Sequence, residues 1–164
     1  MGVDPGLVAT GFGVLEAAPG AVTVLDAGVI TTASTKPLEA RLNAIYRAVL
    51  QIIEARTPTF LVVEDLYTEY KFPRTAILMG HARGVIYLAA RQLGVSVTAL
   101  APSEVKRAVT GSGSAGKAQV QRGVQTLLGL KDLPRPSHVA DALGLAVTGL
   151  ARVTGITPTA RAVR

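Results

Sequence analysis

The run "PTFLVVED", residues 58–65, limits the folds open to this chain more than any other stretch. Its apolar side chains follow one another without the polar alternation of a strand that has one wet face. Such a strand is typical of a sheet centre that is covered on both sides. The run therefore predicts a sheet of the α/β class with helices packed against it.

The segments on either side predict an ordered series of strands and helices. "TGFGVLE" and "AVTVLDAGVITT" are typical strands joined by the turn "AAPG", and apolar residues at helical spacing follow from Leu38 to Ile52. After "PTFLVVED" we expect a helix from near Arg74 to Leu93, closed by Gly94. The strand "VSVTAL" and three helices complete the chain, namely "PSEVKRAVT", "KAQVQRGVQTLLGL" and one with an apolar stripe from Val139 to Leu150.

A further short strand is expected to end at Asp4. Only three residues precede Asp4, so this strand is very short or the chain begins late. The predicted order is β-β-β-α-β-α-β-α-α-α, which indicates a mixed five-stranded sheet flanked by helices. We expect one domain over residues 1–153, followed by a basic, disordered tail over 154–164.

Composition narrows the class of partner. Seventeen Lys and Arg residues against eleven Asp and Glu give a net charge of +6, which favours a polyanionic partner such as nucleic acid. The absence of cysteine excludes a disulfide scaffold and thiolate metal sites, and it suits the cytoplasm. No apolar run approaches the roughly 20 residues of a membrane-spanning helix, so we expect a cytoplasmic protein without membrane association.

The acidic residues suggest a metal centre. Asp4 and Glu64 end predicted strands, where ligands of α/β sheets gather. Asp141 follows His138 by three residues, so the two share one face of the last helix. Converging carboxylates suit Mg²⁺ or Mn²⁺, and two such ions about 4 Å apart hydrolyse phosphodiesters in line. Alternatively, each acid is a turn former or helix cap, Asp141 complements a helix dipole, and His138 is a surface histidine.

The stretch "GSGSAGKAQ", residues 111–119, is similar to a nucleotide-binding P-loop but lacks its Mg²⁺-binding hydroxyl, because Ala118 follows Lys117. Its glycines are expected to leave backbone N–H groups accessible, and Lys117 stands at a helix start that favours an anion. The stretch predicts contact with a phosphate, with Lys106 and Lys117 on either side; the alternative is a flexible hinge.

Five segments in this order resemble the RuvC family of Holliday-junction resolvases: "GVDPGLVATGFGV", "VVEDLY", "GHARGV", "APSEVKRAVTGSGSAGKAQV" and "HVADALGLA". The resemblance implies a ribonuclease-H-like fold and a Mg²⁺-dependent crossover junction endodeoxyribonuclease. Such an enzyme resolves junctions by symmetric paired nicks in homologous recombination and DNA repair. It also implies two Mg²⁺ ions per subunit, for which Mn²⁺ substitutes.

The resemblance also implies site residues. The family's metal-binding acids fall on Asp4, Glu64 and Asp141, and its fourth position is His138, as metal ligand or general base. Lys106 and Lys117 match family lysines that contact DNA phosphate or help catalysis. Lys71 and Arg74 continue the loop after Tyr67, and their charge suits the DNA backbone. Tyr67 matches a position that stacks on a base, although a rim aromatic packed on the neighbouring helix is the alternative.

Expected partners are Holliday junction DNA, a second copy of the chain, and a branch-migration helicase complex of the RuvA and RuvB type. Gly80 and Gly84 lie one helical turn apart and either pack against the sheet or form the dimer contact. Two other functions stay open. One is a non-catalytic four-way-junction binding module in which His138 marks a decayed site; the other is an ATPase of the actin-like superfold.

Overall fold

A computed structural model describes residues 1–18, 21–66 and 73–156. It contains the ten elements that the sequence predicts, in the predicted order. The strands are β1 (Gly2–Asp4), β2 (Ala9–Ala18), β3 (Ala21–Thr31), β4 (Phe60–Glu64) and β5 (Ser96–Leu100). The helices are α1 (Leu38–Arg56), α2 (Pro73–Gln92), α3 (Pro102–Thr110), α4 (Lys117–Leu128) and α5 (Ser137–Thr154).

The strands form one mixed sheet in the order β3-β2-β1-β4-β5. β2 is antiparallel to both β1 and β3, whereas β1, β4 and β5 are mutually parallel. The fold class predicted from the sequence is therefore confirmed. The parallel strands all end at the same edge of the sheet, and this edge carries Asp4 and Glu64.

Helices cover both faces of the sheet, as the apolar run of β4 requires. Side chains alternate along a strand, so Leu61 and Val63 enter the core that contains residues of α1 and α2. Val62 points the other way and packs with residues of α3 and α5. All three valine and leucine side chains of this run are fully buried.

Helix α5 lies unusually close to β1 and β2 because glycines face it. A Cβ atom built at Gly2 would meet the backbone carbonyl oxygen of Ala142, and one built at Gly11 would meet that of His138. Small residues therefore let the beginning of α5 rest directly on the strands that lead to and from Asp4. This approach brings His138 and Asp141 to the edge of the sheet.

Several boundaries differ from the prediction. β2 continues through Ala17 and Ala18, which the sequence places in a turn, because both pair with β3. α2 begins at Pro73, since proline is well tolerated in the first turn of a helix. Thr154 belongs to α5 and not to the tail, because the helix continues to a left-handed Gly155. Residues 157–164 of the predicted tail lie outside the described residues.

The alternative that both Gly80 and Gly84 pack against the sheet is wrong for Gly84, which is exposed and above which a Cβ atom would meet nothing within 4 Å. Gly80 is half-buried, and a Cβ atom there would touch only Leu66, at 3.9 Å. Across the described ranges, none of the helices combines the length and apolar character needed to span a bilayer.

Candidate metal centre at the ends of strands β1 and β4

Asp4 and Glu64 are neighbours because their strands are. Val3 is paired with Val63 in the parallel ladder, so the next residue of each strand, Asp4 and Glu64, emerges at the same edge. Asp4 is 7% exposed, and Glu64 is half-buried. Two carboxylates thus converge where β1 and β4 end.

Helix α5 brings two more groups to this edge. His138 lies in its first turn, and its Nδ1 is 2.8 Å from Oδ2 of Asp4, although the two residues are 134 apart in sequence. Asp141 lies one helical turn further on. One ligand atom each of Asp4, His138 and Asp141 lie within 4.8 Å of one another, a spacing that could hold a metal ion. Glu64 stands beside this group of three and is not part of it.

Burial and mutual repulsion shift the acidity of all three carboxyl groups. Burial raises the pKa of Asp4, against the lowering effect of its hydrogen bond to His138. Burial, followed by the charges of Asp4 and Asp141, raises the pKa of Glu64 to about 7. Burial and the charge of Asp4 raise the pKa of Asp141 to about 6. Desolvation and like charge both penalise the ionised forms, so the site gains from a bound cation.

The donor set fits a hard divalent cation. Within residues 1–18, 21–66 and 73–156, no Lys or Arg forms an ion pair with Asp4, Glu64 or Asp141; the one pair there joins Asp4 to His138. Carboxylate oxygens, with an imidazole nitrogen beside them, suit Mg²⁺ or Mn²⁺. Buried carboxylates without a basic partner are costly unless a cation compensates them.

Two lysines stand at the rim of the acidic group. Lys106 on α3 is half-buried and lowers the pKa of Glu64 and Asp141. Lys117, the exposed first residue of α4, lowers the pKa of Asp4 and Asp141. The structure therefore brings both lysines within electrostatic reach of the acids.

Three further residues were predicted to contact DNA, namely Tyr67, Lys71 and Arg74. Arg74 is exposed in the first turn of α2. Tyr67 and Lys71 lie outside the described residues.

The glycine loop between α3 and α4 differs from the expectation of accessible amides. The N–H of Gly116 donates to Oε1 of Gln119 at 2.8 Å, and the N–H of Ser112 donates to Oγ1 of Thr110 at 3.1 Å. The side chains of the flanking helices thus already satisfy two of these donors. Any phosphate contact at this loop depends more on the Lys117 side chain than on the backbone.

The loop that follows Asp4 is held by side-chain hydrogen bonds that were not predicted from the sequence. The carbonyl oxygen of Leu7, in the loop after β1, accepts hydrogen bonds from the Thr32 hydroxyl and from the Arg41 guanidinium, the latter at 3.1 Å. Arg41 also donates from Nε to Thr32 at 2.9 Å. This clamp joins the end of β3 and the start of α1 to the loop that leaves Asp4. The local sequence gives no signal for this clamp, because the burial of Thr32 and its contact with Leu7 arise only from the fold.

Comparisons with known proteins agree over nearly the whole chain. The family model described as "Crossover junction endodeoxyribonuclease RuvC" matches residues 1–149. A protein of that name from Treponema pallidum (strain Nichols) is 45% identical over 148 residues, covering 90% of this chain and 75% of the relative. Another from Pelotomaculum thermopropionicum is 44% identical over 147 residues, covering 90% of this chain and 89% of the relative.

Solved structures give the same result. "T. thermophilus RuvC in complex with Holliday junction substrate" aligns with a TM-score of 0.83 at 36% identity, covering 90% of this chain and 89% of that one. The yeast mitochondrial resolvase Ydc2 aligns with a TM-score of 0.61 at 12% identity over 92% of this chain and 76% of that one, which shows a shared fold. The sheet is therefore ribonuclease-H-like. The chain belongs to the RuvC family of crossover junction endodeoxyribonucleases.

Proposed function

We propose that this protein resolves Holliday junctions by hydrolysing DNA phosphodiester bonds in symmetric paired nicks, in homologous recombination and DNA repair. The observation that carries the proposal is the cluster of Asp4, His138 and Asp141 within 4.8 Å, with Glu64 beside it. This cluster lies in a chain of the RuvC family, and a relative's structure holds a Holliday junction substrate. Its place of action is the cytoplasm.

Asp4, Glu64, His138 and Asp141 would hold the divalent ions, which we take to be two Mg²⁺ per subunit with Mn²⁺ as a substitute. When bound, such ions activate the attacking water and stabilise the leaving oxygen. The acids must be ionised to bind them, and Lys106 and Lys117 favour that state by lowering the carboxyl pKa values. The same lysines present positive charge toward an approaching phosphodiester strand.

His138 has a defined tautomer when Asp4 is ionised. A carboxylate only accepts hydrogen bonds, so Nδ1 carries the proton and donates to Oδ2 of Asp4. Nε2 then keeps its lone pair, which serves either to ligate an ion or to accept a proton from the attacking water. Asp4 therefore orients the imidazole as well as contributing its own oxygen.

DNA contacts are proposed at the two lysines beside the acids and at three further residues. Lys106, Lys117 and Arg74 supply positive charge for the phosphodiester backbone, and Lys71 extends that set. Tyr67 stacks on a base at the junction, a contact worth about 1–3 kcal/mol in proteins that bind unpaired bases. The net charge of +6 favours such a polyanionic partner.

The proposed active form is a homodimer, which provides two sites for two symmetric cuts. Support comes from an exposed stripe on α2 made of Ile77, His81, Gly84 and Leu88, here called the α2 stripe, in which His81 is the one polar side chain. Ile77 is 62% and Leu88 51% exposed, and the space above Gly84 is empty in the described chain. A second copy of α2 fits this stripe. A branch-migration helicase complex of the RuvA and RuvB type is the further proposed partner.

The decisive experiment compares the protein with an Asp4→Asn variant on a synthetic four-way junction in Mg²⁺. Asp132→Asn, an exposed acid between α4 and α5, is the matched control. We expect symmetric nicks from the parent and from Asp132→Asn, and none from Asp4→Asn. Tight binding without nicks would favour the junction-binding module, and ATP turnover without DNA would favour the actin-like ATPase. Equal cutting by Asp4→Asn would contradict the metal assignment.

A further inference from the structure

Arg83, in the "GHARGV" stretch of α2, joins that helix to the end of β4. Its Nη2 donates to Oδ1 of Asp65 at 3.1 Å and to the hydroxyl oxygen of Tyr87 at 2.8 Å. Its guanidinium carbon also lies 4.9 Å from the centre of the Tyr87 ring. Its Nε is buried without a hydrogen-bond partner in the part of the chain that the structure describes. A buried donor without a partner is unfavourable. The contacts with Asp65 and Tyr87 hold the guanidinium in this orientation despite the unpaired Nε.

Asp65, the acceptor of Arg83, directly follows Glu64 and is held on two sides. Its backbone N–H donates to the carbonyl oxygen of Leu100 on β5 at 2.8 Å. Its Oδ1 also accepts the N–H of Leu66 at 3.0 Å, and Leu66 in turn lies against Gly80 of α2. The exit of β4 is therefore pinned to β5 through the backbone and to α2 through side chains.

Alternation along β4 explains why this contact matters for Glu64. Val63 faces the core of α1 and α2, so Glu64 faces the α5 side, where Asp141 lies, and Asp65 faces α2 again. Arg83 thus contacts Asp65 on one face of the strand end, while the Glu64 carboxyl group lies on the other face. A shift at Asp65 would turn Glu64 with it.

We propose that Arg83 is a positioning residue: by holding Asp65 against α2, it fixes the Glu64 carboxylate relative to Asp4 and Asp141. The link to catalysis rests on the proposed nuclease function, whereas the effect on the end of β4 does not.

The test uses Arg83→Met, which removes the guanidinium but keeps an apolar stem, and Arg83→Lys, which keeps only the charge. Arg91→Met, at an exposed position of the same helix, is the control. In the metal-free protein, we expect Arg83→Met to speed amide exchange at Asp65 and Leu66 by about tenfold, because local protection depends on such contacts. Exchange at Val3 stays as in the parent.

The kinetic readout separates positioning from DNA contact. We expect Arg83→Met to lower kcat for junction nicking by about 10- to 100-fold, because small misplacements of catalytic groups have effects of that size. KM for the junction, and junction binding in EDTA, should stay within about twofold of the parent. The reason is that the Arg83 guanidinium contacts Asp65 and Tyr87 of the same chain and is not proposed to contact DNA. Arg83→Lys should recover part of kcat, because an ammonium reaches one acceptor but not both. Affinity for Mn²⁺ without DNA should fall in parallel with kcat.

Three results would overturn the inference. One is unchanged exchange at Asp65 in Arg83→Met; another is unchanged kcat and Mn²⁺ affinity in a folded variant. A third is a loss of metal-free junction binding as large as the loss of kcat, which would make Arg83 a DNA contact. If Arg83→Met fails to fold, Tyr87→Phe, which removes one acceptor, is measured in the same way. A parent protein that cuts no junction contradicts the proposed function, while exchange and Mn²⁺ binding still decide the role of Arg83.

Discussion

Replacing Glu64 by glutamine should stabilise the metal-free protein while abolishing its nuclease activity. The pKa of Glu64 in the fold is about 7, against an ordinary value of 4.5, so the folded state binds the proton more tightly than the unfolded state. Stability is then lost as pH rises through this interval, and the penalty is complete above pH 7. At about 1.4 kcal/mol per pKa unit, the upper limit is about 3 kcal/mol. Solvent screens part of this penalty, and another part belongs jointly to Glu64 and Asp141 because their charges repel each other. The expected gain in unfolding free energy is therefore about 1–2 kcal/mol at pH 8.

The measurement is urea unfolding in EDTA at pH 5 and pH 8, for the parent, Glu64→Gln and the control Glu54→Gln. Glu54 is an exposed acid on α1. The gain of Glu64→Gln should be complete at pH 8 and clearly smaller at pH 5, where the carboxyl group of the folded parent is protonated but that of the unfolded chain is still partly ionised. Added Mg²⁺ should reverse the order, because a cation binding only the folded parent stabilises it. A Glu64→Gln protein no more stable than the parent at pH 8 would refute the electrostatic reasoning.

Three further substitutions test separate features. Gly11→Ala places a Cβ 2.6 Å from the carbonyl carbon of His138, so α5 must shift; we expect a loss of about 1–3 kcal/mol in unfolding free energy. Nicking should fall by about 100-fold in the same variant, and parent-like values of both would contradict the close-approach argument. Lys117→Ala should reduce the slope of log affinity against log salt by about one, whereas Arg47→Ala on α1 leaves it unchanged; equal slopes would remove Lys117 from the DNA backbone. Leu88→Glu should give a folded monomer in sedimentation and unpaired nicks, and a persistent dimer would exclude the α2 stripe as the contact.

Much of the fold could be predicted because its signals are local. Periods of two and 3.6 residues identify the strands and helices, and the unbroken apolar run of β4 predicts a strand inside the sheet that is covered on both faces; β4 lies between β1 and β5, and β1 is the middle strand. The positions of Asp4 and Glu64 at strand ends follow from the same patterns. Local patterns left the roles of these acids open, and the resemblance to the RuvC family selected the three carboxylates and His138; the structure brings all four to one edge of the sheet.

What the sequence could not supply is contact between distant segments. Nothing near Gly11 or Gly2 shows that a helix more than 100 residues later rests on them. The pairing of Arg83 with Asp65 is equally invisible, since an arginine half-buried in a helix has the same local pattern as one on the surface. The number of free backbone amides in the glycine loop was also overestimated. The side chain of Gln119 can cap Gly116 only because α4 begins at Lys117, and this start was not used to predict the cap.

The contact between His138 and Asp4 also determines when a growing chain becomes reactive. Among the described elements β1 is synthesised first and α5 last, so a nascent chain that already contains Asp4 and Glu64 still lacks His138 and Asp141, two of the four proposed metal ligands. Helix α5 also supplies much of the buried surface beneath the sheet, so its docking and the completion of the fold coincide. A chain that ends before α5 is therefore expected to lack a complete candidate metal centre. An enzyme that cuts DNA gains a safeguard from the order of its own synthesis.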